Sequence, residues 1–301
     1  MPTVDALLVE GVARLRAAGS ESARIDAELL LGHVLGVDRT GVIAHPEAPV
    51  GDGSAQRYRE ALERREAGEP VAYIRGVKEF RGLAFGVDSR ALIPRPETER
   101  LVDLAELEIV RRLTAAPRPA GTPPLRVLDV GTGSGAVVVA LAAALGKRRM
   151  LDEVAFTASD VSSDALELAR ENAVGHAVGD RIAFKLADLV PGATAIRWDV
   201  ILANLPYVRT DALAGLPVAT AFEPSIALDG GSDGLEVIRR LLDQLEAALA
   251  HGGVALLEIG GDQGPAIVAT VAEHLPGWSC SVEPDLGGLP RVARLGRPAT
   301  G

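Results

Sequence analysis

The chain has 301 residues, 48% of them hydrophobic, enough to bury one large core or two smaller ones. A net charge of -10 and a pI near 5.1 argue against broad non-specific binding to nucleic acid, which depends on basic surface. The single cysteine, Cys280, excludes an intrachain disulfide, and no apolar run approaches the roughly 20 residues of a membrane span.

The N-terminus, MPTVDALLVEG, lacks a basic start followed by a long apolar run, so no signal peptide is expected and a cytoplasmic location is. Residues 3–67 read as helical. Leu7, Leu8, Val12 and Leu15 recur at helical spacing, as do Ile25, Leu29, Leu30, His33 and Val34. Ser22 and Ser54 stand where helix caps are expected. Residues 71–92 change character. Val71, Tyr73, Phe80, Phe85 and Val87 lie among glycines, the pattern of a short hairpin joining two domains. The expected organisation is a helical domain over 1–70, a hairpin linker over 71–92 and a main domain over 93–301. A helix is expected from Glu97 to about Leu113, then a Pro-rich surface connection at 115–124.

From Leu125 the pattern alternates. Strands are expected at 125–130, 154–159, 181–186, 198–203, 252–259 and 278–283, and helices at 135–145, 163–174, 233–249 and 263–274. Short aliphatic strands alternating with helices predict an α/β fold whose mostly parallel sheet is covered on both faces. The segment Arg291 to Leu295 follows 278–283 after only a turn, so this last strand should pair antiparallel. The five histidines form no ligand-spaced cluster, and no metal site is expected.

"VLDVGTGSGAVVVALA" (127–142) joins the first of these strands to its helix. Gly131, Gly133 and Gly135 permit a sharp turn and close approach of a ligand to the backbone. The helix behind them offers free N–H groups. A tight turn alone would explain the glycines equally well. Gly131, Gly133 and Ala136 also fit the dinucleotide pattern G-x-G-x-x-G/A. Asp129 is less expected in that pattern, and a carboxylate there can hold an ammonium group. "FTASD" ends the second strand in Asp160, suited to accept from both hydroxyls of a ribose, or else to cap the helix that follows. "KLADL" ends the third in Asp188, within reach of an adenine amino group or simply a turn residue.

"DVILANLPYV" (199–208) carries a buried strand into an amide, a proline and a phenol. A planar nitrogen is a poor nucleophile because its lone pair is delocalised. The side-chain oxygen of Asn204 and the carbonyl of Leu205 can each accept one N–H of a substrate NH2 group, aiming that nitrogen at an electrophilic methyl. Pro206 restrains Leu205 to extended conformations, and Tyr207 can stack on a planar amide or base. An ordinary strand-ending turn is the plain alternative for these four residues.

Together these features resemble the class I S-adenosylmethionine-dependent methyltransferases with an N-P-P-Y motif. More narrowly, "EFRGLAFGVDSRALIPRPETE", "LDVGTGSG", "NLPYV", "FEPSIALDGGSDGLEVIRRLL" and "LLEIGGDQG" are similar to the HemK/PrmC family, the protein-glutamine N5-methyltransferases of peptide chain release factors. The resemblance covers nearly the whole chain. It implies a Rossmann-like methyltransferase domain. It also implies that the loop Gly131, Thr132, Gly133, Ser134 and Gly135, together with Asp160, binds S-adenosylmethionine. Asn204 to Tyr207 would then bind the glutamine of a Gly-Gly-Gln tripeptide, with Asn204 also near the cofactor. The family usually has proline where this chain has Leu205, and some members have an aromatic residue against adenine where it has Leu189. The N-terminal domain would recognise the release factor, with no membrane and no direct nucleic-acid partner. Three other readings compete: amino methylation of adenine or guanine in nucleic acid, a nicotinamide-dependent oxidoreductase, and a non-enzymatic binding module.

Overall fold

The computed structural model describes residues 1–116, 119, 121–192 and 197–297. The Pro-rich connection at 115–124 lies partly outside these residues. The chain divides into two compact units, one of residues 1–77 with 217–222, the other of 78–216 with 223–301.

The first unit is helical: α1 (Val4–Ala17), α2 (Ala23–Leu35), α3 (Arg39–Ala44), α4 (Asp52–Glu66) and α5 (Val71–Arg75). Leu7, Leu15, Leu30, Leu31, Tyr58 and Leu62 form its buried centre. Buried carboxylates there are ion-paired, Asp26 with Arg65 at 2.9 Å and Glu28 with both Arg24 and Arg39, as burial of charge requires. Ser22 does precede α2, but its hydroxyl donates to Asp26 Oδ1 and does not cap the helix. Ser54 lies inside α4, whose N-terminus is set by Gly51. Residues 71–75, expected in the hairpin, form a helical turn that ends at Gly76 in the left-handed conformation.

The hairpin proper is β1 (Val77–Phe80) and β2 (Leu83–Gly86). Arg81 and Gly82 between them both have positive φ, the signature of a tight two-residue turn. All but Val77 belongs to the second unit. Phe80 and Phe85 meet edge to face at 6.0 Å inside that unit's core, so this segment is a built part of it.

A 3-10 turn at Pro96–Thr98 leads into α6 (Glu99–Thr114). Then follow β3 (Leu125–Val130), α7 (Ala136–Lys147), β4 (Val154–Asp160), α8 (Ser163–Gly175), β5 (Ile182–Leu186), β6 (Trp198–Ala203), α9 (Glu236–Ala248), β7 (Leu249–Glu258), α10 (Gly264–His274), β8 (Ser279–Pro284) and β9 (Pro290–Gly296). The seven strands from β3 onward form one sheet of order β5-β4-β3-β6-β7-β9-β8. Pairing is parallel from β5 to β7, and β9 runs antiparallel to both β7 and β8. Strand side chains alternate between faces. Val127, Val200, Leu202 and Leu256 therefore pack with α6 and α7, whereas Leu128, Ile201, Ala203 and Leu257 pack with α9 and α10. No helix among the described residues is long and apolar enough to cross a membrane.

Candidate active site

The chain reverses its direction of travel across the sheet between β3 and β6, which are parallel neighbours. Their C-terminal ends open the crevice where such sheets take ligands. A cavity of about 520 Å³ lies there. Its wall includes Asp129, Gly131, Thr132, Gly133, Ser134, Asp160, Asp188, Leu189, Asn204, Leu205 and Pro206. Gly135 and Tyr207 are not in that wall. Gly135 is the residue before α7 and packs against Ala169 of α8.

Asp129 is 1% exposed. The Thr132 hydroxyl donates to its Oδ2 at 2.7 Å. Burial pushes its pKa up to about 7, and the nearby Asp160 adds to this, while Thr132 and the first-turn amide of Val138 pull it down. Asp160 shapes the loop directly: Gly133 N–H donates to Oδ2 and Ser162 N–H to Oδ1, each at 2.9 Å. Capping of α8 falls to Ser162, whose hydroxyl accepts from Ala165 N–H. Asp188 is engaged as well, in an ion pair with Arg240, another residue of the cavity wall. Leu189 is buried with φ of 68°, an uncommon conformation for leucine, and its carbonyl accepts from Ser159 Oγ at 2.7 Å.

Asn204 Nδ2 donates to Thr98 Oγ1 at 3.0 Å. With its NH2 end so occupied, the side-chain oxygen is the end left for a ligand. The Tyr207 hydroxyl turns to Glu258, donating to Oε1 at 3.4 Å, and burial raises its pKa to about 12. Its backbone is clamped from the other side. Gln263 Nε2 donates to the Tyr207 carbonyl at 3.1 Å and to that of Gly234 at 3.2 Å, while Gln263 Oε1 accepts from Gly260 N–H. A Cβ on residue 234 would stand 2.4 Å from the Tyr207 carbonyl, which explains glycine there. Val208 N–H donates to Leu228 O, and Gly230 N–H to Val208 O. The segment after Asn204 is thus held along both edges.

Glu223, 6% exposed, accepts from Ile93 N–H at 3.1 Å and from Arg95 at 2.6 Å, fixing the loop that leads to Thr98. Glu258, 1% exposed at the end of β7, has its pKa pushed to about 7 by burial. Thr98, Glu223, Gly234, Glu258 and Gln263 carried no role in the sequence reading. All five lie in the stretches "LIPRPETE", "FEPSIALDGGSDGL" and "LLEIGGDQG", which served there only as family marks.

Residues 6–76 match the PrmC N-terminal domain, and residues 122–253 match a methyltransferase domain. The release factor glutamine methyltransferase of Deinococcus radiodurans is 38% identical over 291 residues, 97% of each chain. That of Moorella thermoacetica is 38% identical over 267 residues, 88% of each chain. Among solved structures, the hMettl16 catalytic domain in complex with MAT2A 3'UTR hairpin 6 superposes with a TM-score of 0.52 at 18% identity over 83% of each chain, a likeness of fold alone. With both domains matched and close to two residues in five shared along nearly the whole length, the chain belongs to the release factor glutamine methyltransferase family.

Proposed function

We propose that this protein transfers a methyl group from S-adenosylmethionine to the side-chain amide nitrogen of the glutamine in the Gly-Gly-Gln tripeptide of class 1 peptide chain release factors, in the cytoplasm. The observation that carries this reading is the Asn204 amide, whose NH2 end is tied to Thr98 beside a cavity shared with the glycine loop.

The residues present suit the cofactor. Asp129 is a buried carboxyl that an ammonium group would relieve of its desolvation. Asp160 has lone pairs beyond those taken by Gly133 and Ser162 for the ribose hydroxyls. Asp188 is the group for the adenine amino end, with its ion-pair partner Arg240 in the same wall. Leu189 supplies apolar wall. Bound there, S-adenosylmethionine supplies a methyl group made electrophilic by its sulfonium.

The chain's own residues do the rest. Asn204 Oδ1 and the Leu205 carbonyl each accept one N–H of the glutamine amide. Holding both hydrogens fixes the direction of the nitrogen and favours its pyramidal form as the new bond develops. Pro206 restrains the Leu205 carbonyl. Tyr207, anchored at its hydroxyl by Glu258 and at its carbonyl by Gln263, braces this segment. An N-methylated amide that still carries its extra proton is strongly acidic, so no strong general base is required. The helical first unit is the module for recognising the release factor.

Labelled S-adenosylmethionine with whole release factor tests the reading. Label should enter a factor bearing Gly-Gly-Gln and not one bearing Gly-Gly-Ala. Label in RNA or DNA amino groups, with none in the Gly-Gly-Gln factor, would replace this reading with nucleic-acid methylation.

A further inference from the structure

The two ends of an asparagine amide are nearly identical in shape and opposite in hydrogen bonding. Turned one way, Asn204 offers the substrate an acceptor. Turned the other, it offers two donors to an NH2 group that has only donors to give. Something must choose between them, and the choice requires a neighbour that accepts without donating.

Thr98 is that neighbour. It is 4% exposed, at the junction of the 3-10 turn and α6, and its Oγ1 lies 3.0 Å from Asn204 Nδ2. A hydroxyl has a single hydrogen. If that hydrogen is spent elsewhere, only lone pairs remain to face Asn204. The buried Glu258 carboxyl is the acceptor that can take it. The Thr98 hydroxyl draws that carboxyl's pKa down, opposing burial. Tyr207 already occupies Oε1, and Oε2 is buried with no hydrogen-bond partner among the described residues, an acceptor that the Thr98 hydrogen would satisfy. Ionised, the carboxyl accepts at both oxygens, one for Tyr207 and one for Thr98. The strand β7 that ends in Glu258 is paired with β6, which ends one residue before Asn204, so the sheet itself sets this spacing.

We infer that Thr98 is a positioning residue for methyl transfer: by donating to Glu258 it holds the Asn204 amide with its oxygen toward the substrate nitrogen. The inference rests on the function proposed above. Thr98 touches neither substrate nor cofactor in this role; it acts through Asn204.

Two measurements on the full-length protein test it. The first uses a Gly-Gly-Gln release factor and labelled S-adenosylmethionine. Thr98→Val and Thr98→Ala, which remove the hydroxyl, should lower kcat at least tenfold, with KM for the cofactor changed less than threefold. Thr98→Ser, which keeps the hydroxyl, should stay within threefold of wild type in kcat. Wild-type kcat in folded Thr98→Val or Thr98→Ala would overturn the inference. So would a Thr98→Ser variant as slow as these, since the methyl group and not the hydroxyl would then matter. The second measurement needs no activity. The side-chain amide signals of Asn204, assigned by their loss in Asn204→Ala, should show one proton protected from solvent exchange, with protection falling at least tenfold in Thr98→Val. Unchanged protection would overturn the inference even if kcat fell. If wild-type protein fails to methylate the glutamine, the proposed function falls, and the exchange measurement still decides whether Thr98 orients Asn204.

Discussion

Leu205 fills the space that a side chain on residue 131 would need: a Cβ there would stand 2.9 Å from Leu205 Cδ2. Gly131 itself has φ of 67°, so any substitution is strained as well as crowded. Leu205 is 5% exposed and packs in the same cluster as Val130 and Leu235. Its side chain therefore serves packing, and its carbonyl is what the proposed function assigns to the substrate amide. Leu205→Pro should keep methylation within roughly tenfold, or about 1.4 kcal/mol, while costing about 1–3 kcal/mol of stability through lost core contact. Denaturant unfolding and steady-state rates measured side by side check both halves. A thousandfold rate loss in folded protein would give the leucine side chain a part in the chemistry.

Asp129 and Glu258 both titrate at about 7 in the fold, against ordinary values of 3.8 and 4.5. Between those limits the folded protein holds protons that the unfolded chain has released. The stabilisation they provide is complete below about pH 4 and is lost as pH rises through 7. An ammonium group at Asp129 favours its ionised form. Cofactor binding below pH 7 should therefore release a proton, and affinity should climb with pH towards a plateau above 7. Calorimetry in two buffers of different ionisation enthalpy reads the released proton. Asp129→Asn should bind more weakly and release none; proton release undiminished in that variant would assign it to another group.

The boundary between the units bears on how to divide the protein. Phe80 and Phe85, 1% and 0% exposed, sit in the core of the second unit. A fragment beginning at Lys78 should bind S-adenosylmethionine within about threefold of the full chain, and it should lose methylation of whole release factor. One beginning after Phe85 forfeits two buried phenylalanines, each worth about 3–5 kcal/mol, and should not fold. A Lys78 fragment that methylates release factor at the full-length rate would end the recognition role of the first unit.

Strand and helix positions in the second unit were legible because aliphatic periodicity and a buried sheet are tied by simple geometry. The expected strand at 154–159 is β4, and that at 198–203 is β6. What the sequence hid were long-range pairings. Residue 98 meets residue 204, and residue 223 meets residues 93 and 95, through contacts that no local spacing encodes. Short polar residues also misled. Ser54 looks like a cap, yet it falls within the first turn of α4, whose N-cap position is Gly51. Residues 71–75 read from sequence as part of the hairpin, since Val71, Tyr73 and Ile74 favour strand; the left-handed Gly76 closes them as a helical turn. Asp188 reads from sequence as an adenine contact or a turn residue, while its partner Arg240 lies 52 residues away.

In the proposed function, Asn204 is the residue on which the chemistry turns. An amide nitrogen must be held by both hydrogens to point its developing lone pair at a methyl group, and Asn204 is the side-chain amide that β6 delivers to the cavity wall. Asn204→Ala removes one of the two acceptors and leaves the Leu205 carbonyl unable to fix the nitrogen alone. The rate should fall at least about a hundredfold, roughly 2.7 kcal/mol. Stability should change little, because the side chain is only partly buried and its one hydrogen bond among the described residues is to Thr98. Cofactor affinity should also survive, since Asp129 and Asp160 are untouched. Cys280→Ser, in β8 away from the cavity wall, is the matched control and should retain full rate. Single-turnover methylation of a Gly-Gly-Gln release factor, with the variant shown folded and cofactor-loaded, is the measurement. A near wild-type rate for Asn204→Ala under those conditions would remove the amide from the mechanism, and a fall in kcat shared by Cys280→Ser would trace the loss to the fold instead.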